Sequence, residues 1–222
     1  MASEVDICNL ALGHLGDNAT VASLDPPEGS AQAEHCARFY PLARDAILEL
    51  HDWNFATKRA QPAMIASPWP QWRYAYVQPS DCLRVLAVLD PLATDDYSQS
   101  LPRPWSQTGL DNPGIATYTP QPFVCETDDE GREVILTNQE NALVRYVAFV
   151  SDTTKFTPLF ATTLTWHLAA LLAGPVIKGD AGRAESKRCE AMAANWLNKA
   201  KNSDSAQRRV TPTHSVGWMA GR

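Results

Sequence analysis

The sequence predicts an α+β protein: an antiparallel helical bundle of two N-terminal and two C-terminal helices, an inserted small antiparallel β domain, and an extended C-terminal tail. Three observations lead there. Apolar residues recur at helical spacing at both ends of the chain, the middle is rich in aromatic and branched residues punctuated by proline, and the two textures do not interleave. The expected boundaries are 1–56 with 152–202 for the helices, 57–151 for the β domain and 203–222 for an arm.

Val5, Cys8, Leu12 and Leu15 share a helical face, and Ser3 followed by Asp6 has the form of a capping arrangement, so a short helix should run to about Gly16. "DNATVASLDPPEG" follows as a loop, because Pro26, Pro27 and Gly29 bar helix. From Ser30, the positions Ala33, Ala37, Tyr40, Ala43, Ile47 and Leu50 continue a helical face for about five turns of ~3.6 residues. Pro41 lies inside that helix without a backbone N–H to donate, so a kink or a break is expected there.

After Trp53 the texture becomes extended. Cys82 to Leu89 reads as a strand, "LATDDYSQSLPRPWSQTGLDNPG" as a long loop, "PFVCETDDEGREVILTN" as a hairpin turning at Glu130-Gly131, and "ALVRYVAFVS" as another strand. Helical texture returns at Thr157, with breaks expected at Gly174-Pro175 and at Gly179. Asp180 is a candidate N-cap, and Cys189, Met192, Trp196 and Leu197 can share one face.

The most apolar run, Pro158 to Ile177, is nearly long enough to span a bilayer. Its threonines, His167 and the Gly174-Pro175 pair favour a helix buried in protein. At 222 residues with 45% hydrophobic content the chain can bury a sizeable core. The formal charge of -6 and pI near 5.3 argue against tight nucleic-acid binding, which needs clustered Lys and Arg. The five cysteines form no CxxC pair and read as reduced thiols, and the acidic start "MASEVDICNLALGHLG" lacks the basic region of an export signal, so synthesis in a cytoplasm is expected.

No catalytic, cofactor-binding or metal-binding constellation emerges. His14, His35, His51, His167 and His214 form no HExxH and no zinc ladder, and His35 and Cys36, being adjacent on a helix, point to different faces. Asp95, Asp96 and the run Asp128, Asp129, Glu130 are acidic pairs of the kind glycosidases use, and loop runs of this kind are usually solvated charge. Trp69, Trp72, Trp105, Tyr74 and Tyr76 offer either a stacking platform for carbohydrate or the core of a small sheet. An alternative function is therefore a carbohydrate-binding or hydrolytic tail protein that uses these aromatics.

The string "FYPLARDAILELHDWNFATKRAQP" resembles the signature of phage head-to-tail adaptors, the tail tubular protein A or gatekeeper family of short-tailed phages. The preceding "ICNLALGHLGDNATVASLDPPEGSAQA" is similar to the first helix and loop of that family. The likeness is specific from about Ile7 to Pro62 and is one of layout beyond. It implies a non-enzymatic virion protein of the tail neck, a homo-dodecameric ring between portal protein and tail nozzle protein, through which genomic DNA passes without specific binding. Neither a cofactor nor a membrane is implied.

Within that expectation, two groups of residues have assigned roles. Trp53 and Phe55 mark the domain junction, pinning the end of the long helix against the first strand, with ring burial worth about 2 to 3 kcal/mol each. Arg208, Arg209, Trp218 and Met219 belong to a portal-binding arm that orders on its partner, in a segment with an excess of basic residues. A tail that stays disordered is the other reading of the same residues.

Overall fold

The computed structural model describes residues 2–18, 20–91 and 121–207. The fold is α+β, with four helices and two small antiparallel sheets among those residues. The chain divides into a helical unit, Met1–Ala56 with Phe149–Gln207, and a second unit whose described parts are residues 57–91 and 121–148.

Helix α1, Glu4–His14, begins with a complete capping box: the Asp6 N–H donates to Ser3 Oγ at 3.1 Å, and the Ser3 N–H donates back to Asp6 Oδ2 at 2.8 Å. Two first-turn donors are thereby satisfied. Ile7, Cys8, Ala11 and Leu12 are its buried stripe. Asn9 then holds the following loop with both ends of its amide, donating to the Val21 carbonyl at 3.0 Å and accepting from the Val21 N–H at 2.7 Å.

Helix α2, Ala31–Glu49, is capped by Ser30, whose hydroxyl accepts from the Ala33 N–H at 3.1 Å. Of the kink or break expected at Pro41, the break does not occur: the helix runs through it. Pro41 is on the exposed side, the side where the carbonyl bond a proline cannot make costs least. The buried face includes Ala33, Tyr40, Ala43 and Ile47 as expected, and also Cys36 and Arg44, while Ala37 is half-buried and Leu50 ends the helix exposed.

Helix α3, Pro158–Ile177, starts on a Thr157 cap with proline in its first turn, the position where a missing N–H costs least. It is long and apolar enough to cross a membrane by length and composition, and half of its most apolar window is buried inside the protein. Both α1 and α2 pack on it, as does α4, Gly179–Ala206.

The expected break at Gly174-Pro175 does not occur: α3 continues through both, and the chain reverses at Lys178, which has φ 61 and ψ 166. Asp180 is not the N-cap. Lys178 occupies that position without a side-chain bond, and Asp180 lies in the first turn, where a negative charge still suits the helix dipole. Close approach of the two helices is possible because residue 182 is glycine. A Cβ there would sit 2.9 Å from the Ala173 carbonyl oxygen. Ser186 adds a hydroxyl bond to the Ala170 carbonyl at 2.8 Å. Helix α4 also runs past residue 202, the expected end of the helices, to Ala206.

The second unit contains two sheets where one was expected. β1 (Thr57–Ala60), β7 (Leu143–Ala148) and β4 (Cys82–Leu89) form one, in the order β1-β7-β4; β4 has the predicted bounds and two register irregularities against β7. β2 (Met64–Ile65), β3 (Tyr74–Val77), β6 (Glu133–Thr137) and β5 (Phe123–Thr127) form the other, in the order β2-β3-β6-β5. β5 and β6 are the predicted hairpin, turning through Gly131 at φ 78. One buried cluster draws Tyr76 and Ile135 from one sheet together with Val88, Val144 and Tyr146 from the other, so the sheets share a core.

Candidate functional site

The residues that end α2 form the most highly organised site in the helical unit. Trp53 is fully buried, and its indole Nε1–H donates at 2.9 Å to the Ile47 carbonyl in the last turn of α2, which also accepts the Leu50 N–H at 3.3 Å. Its ring meets Phe160 of α3 edge-on with centroids 5.0 Å apart, and Phe55 lies 5.0 Å from Phe160 and 5.7 Å from Phe156. These four rings are within one unit, and edge-to-face pairs of this kind add about 0.5 to 1.5 kcal/mol beyond burial. The chain enters the β unit at Thr57, immediately after them.

Between the two aromatics stands Asn54, and it does equal work. Its backbone N–H reaches Asp204 Oδ2 at 3.1 Å, and its side-chain amide donates to the Asp204 carbonyl at 2.7 Å. Asp204 is 4% exposed, a buried carboxylate in the last turn of α4. His51 Nε2 stands 3.3 Å from Asp204 Oδ2, close enough to pair in charge but not aligned as a hydrogen bond. Sequence reasoning missed Asp204, Phe156 and Phe160. Asp204 sits in the polar run "KNSDSAQ", which carries no periodic signal, and only the pairing across the chain reveals it.

A second cluster joins α1, α3 and α4. His14 stacks on Trp166 with centroids 3.7 Å apart and planes 9° from parallel, and the Arg188 guanidinium lies over the same indole at 5.4 Å. Arg188 also donates to the His14 carbonyl at 3.1 Å and pairs with Glu185. Burial, and then the positive charge of Arg188, lower the His14 pKa from its ordinary value. The imidazole is thus favoured neutral, as a stacking and hydrogen-bonding group, with Nε2 3.2 Å from Thr165 Oγ1.

The groups with chemical potential are placed as follows. All five cysteines are free. Cys8 and Cys36 neighbour each other, and their mutual hydrogen bond together with burial pushes the Cys8 thiol up; burial likewise raises Cys125 and Cys189, and Cys82 to about 12. A nucleophilic thiol needs the opposite shift, which of the five only Cys36 has: the hydrogen bond from Cys8 lowers it, and both thiols of the pair are buried. Among the described residues no three His, Cys, Asp or Glu side chains gather as metal ligands.

Asp128, Asp129 and Glu130 line an open cleft with Ile65, Ala66, Pro68 and Arg132 at the hairpin turn. The Asp128 carboxylate accepts from the Arg132 and Glu130 N–H groups at 2.8 and 3.0 Å and pairs with the Arg132 guanidinium at 2.7 Å. These bonds lower its pKa, whereas a general acid needs one raised. Asp95 and Asp96 lie outside the described residues.

Among the described aromatics of the β unit, Tyr74 and Tyr76 belong to one apolar cluster and Trp72 to another. Tyr76 is core, its hydroxyl donating to the Gln139 carbonyl and accepting from the Ala142 N–H. Trp72 packs against Ala75, Val134 and Leu136, Tyr74 packs against the shared core, and Trp69 stands 40% exposed. Trp105 and the arm residues Arg208, Arg209, Trp218 and Met219 lie outside the described residues. No model of a known protein family matches the chain, and no characterised protein matches it significantly in sequence.

Proposed function

We propose that this chain is a structural virion protein: a head-to-tail adaptor whose ring joins the portal to the tail nozzle of a short-tailed phage and lines the channel for DNA. The observation that carries the reading is the string Trp53-Asn54-Phe55-Ala56 at the end of an Arg-Asp-bearing helix, the heart of the resemblance stated above. Each of its first three members has its own fixed partner at the exit of α2, so the string is part of the architecture rather than free surface. The separation of helical and β units along the chain, and a net charge of -6 beside passing phosphates, accord with the same role.

In this reading the mechanism is assembly. The helical unit and the arm with Arg208, Arg209, Trp218 and Met219 hold the portal protein, while the β unit meets neighbouring copies and the nozzle protein. Trp53 and Phe55 fix the last residues of the helical unit before the chain passes into the β unit. The ring is a homo-dodecamer, located in the neck of the virion, and the genomic DNA crosses it without sequence-specific contact. The carbohydrate-binding alternative retains Trp69 as its exposed aromatic, and thermal stabilisation by polysaccharide fragments is what would favour it.

The test is to mix the chain with isolated rings of a short-tailed phage portal protein and image the product. A ring-on-ring complex is expected. Deleting residues 208–222 should leave the melting curve of the rest unchanged and abolish attachment. Absence of any complex with the full chain sinks the adaptor reading, and normal attachment by the truncated chain sinks the arm.

A further inference from the structure

Charge is unevenly shared inside the helical unit. Residues 1–56 carry nine acids against two bases, and residues 149–207 carry seven bases against five acids. Helices α2 and α4 each pack on α3 and leave an outward face. On α2 that face holds Glu34, Arg38, Ala46 and Glu49 around Leu42, which at 62% is the most exposed of the large apolar side chains described. On α4 it holds Lys187, Glu190, Ala191 and Ala194, with Lys201 half-buried at its far end. None of Glu34, Glu49, Lys187 and Lys201 has an ion-pair partner among the described residues.

The two faces match in register. At 1.5 Å per residue, Glu34 and Glu49 stand about 22 Å apart along α2, and Lys187 and Lys201 about 21 Å apart along α4. Leu42 lies midway on the first and Ala194 midway on the second. Laid side by side in the same direction, the helices bring Glu34 to Lys187, Arg38 to Glu190 and Glu49 to Lys201, while Leu42 meets the small Ala191 and Ala194. Reversing one helix keeps the outer pairs but sets Arg38 off from Glu190.

Direction supplies an independent check. Asn54, just past the end of α2, is bonded to Asp204 in the last turn of α4, so both helices finish at the same end of the unit. Trp53 meets Phe160, near the start of α3, so α3 runs the other way. A rotation about an axis along the helices leaves their direction unchanged, so α2 of one copy and α4 of the next are parallel in any such ring.

We propose that neighbouring copies of this chain pack head to tail, α2 of one parallel to α4 of the next, with Leu42 on Ala194 and the three charge pairs flanking it. The contact deepens the adaptor reading and rests on it for its setting, and its occupant is a second copy of this chain. Two unlike faces on one molecule make a heterologous contact, which closes into a ring when the rotation allows. A single pair of exposed charges is weak, so the free protein should associate feebly and with strong dependence on salt.

The experiment is a charge-reversal cycle read by sedimentation at low salt over a wide range of concentration. Glu49→Lys and Lys201→Glu alone should each weaken self-association about fivefold, and the two together should restore it. The pair Glu34→Lys and Lys187→Glu repeats the cycle at the other end, should Lys201 prove needed for folding. A combined variant no better than either single one, or a wild-type chain monomeric even at millimolar concentration, overturns the contact. Portal binding by a chain that shows no charge-swap effect overturns the contact and leaves the adaptor reading standing. Restored self-association without portal binding does the reverse.

Discussion

Asn54 donates both its backbone N–H and its side-chain amide to Asp204, closing a loop of 150 residues around the whole β unit. Asp204 in turn spends its buried carboxylate on the backbone N–H of Asn54, beyond the end of α2. Replacing Asp204 with Ala removes that acceptor. The expected loss is about 1 to 3 kcal/mol of unfolding free energy in urea titration, with Asp204→Asn retaining part of it. An Ala variant as stable as the wild type would show that water replaces the carboxylate there.

Trp53 offers a way to separate ring packing from hydrogen bonding. Trp53→Ala should cost about 3 to 5 kcal/mol, since it opens a cavity between α2 and α3. Trp53→Phe keeps a ring against Phe160 but leaves the Ile47 carbonyl without its indole donor, so a smaller loss is expected, and the difference in urea midpoint between the two variants measures the packing share. Equal losses would assign the effect to the hydrogen bond.

The joint between α3 and α4 makes two predictions of opposite sign. Gly182→Ala places a methyl group 2.9 Å from the Ala173 carbonyl and should destabilise by about 1 to 3 kcal/mol, because backbone must move to admit it. Lys178→Gly relieves a backbone at φ 61 and ψ 166 that side chains rarely adopt, and should stabilise by about 1 kcal/mol. Differential scanning calorimetry on the two variants reads both.

Two half-buried imidazoles set a pH window. His14 and His167 both have pKa values lowered by burial from the ordinary value of 6.5, so the native state favours their neutral forms more than the unfolded chain does. The unfolded state then binds more protons, and stability is full above about pH 6.5 and falls as the pH drops through the lowered native values. Melting temperature measured between pH 7.5 and pH 5 should decline, and His14→Gln with His167→Gln should flatten the decline. Loss that begins only near pH 4 in the wild type would assign it instead to the carboxylates of Asp81, Asp128 and Glu185, whose pKa values are lowered.

Local signals were readable where local physics decides the outcome. The Ser3 and Asp6 cap, the Ser30 start, the Cys82–Leu89 strand and the Gly131 turn each follow from a few neighbouring residues. The break expected at Gly179 falls at the α3–α4 junction, and the breaks expected at Pro41 and Gly174-Pro175 were misread for the opposite reason. Pro41 and Pro175 are tolerated because neighbouring helices hold α2 and α3 in place, whereas the actual reversal at Lys178 has no sequence mark beyond Gly179. Two sheets looked like one because strand pairing is not written in strand order: β7 lies between β1 and β4, and β6 between β3 and β5. At the exit of α2, Trp53 and Phe55 were visible as large rings, but Asp204 was not, since its meaning comes from Asn54.

The reversal at Lys178 leaves a single residue between the end of α3 and the start of α4. A joint that short has no slack. Sliding α4 by one turn along α3 is a travel of about 5.4 Å, which needs backbone the joint does not contain. The glycine at 182 and the Ser186 hydroxyl bond lie on the same side of that joint, within two turns of it. A push delivered to α4 by a neighbouring molecule therefore arrives at α3 undamped, and the pair behaves as a strut rather than a spring.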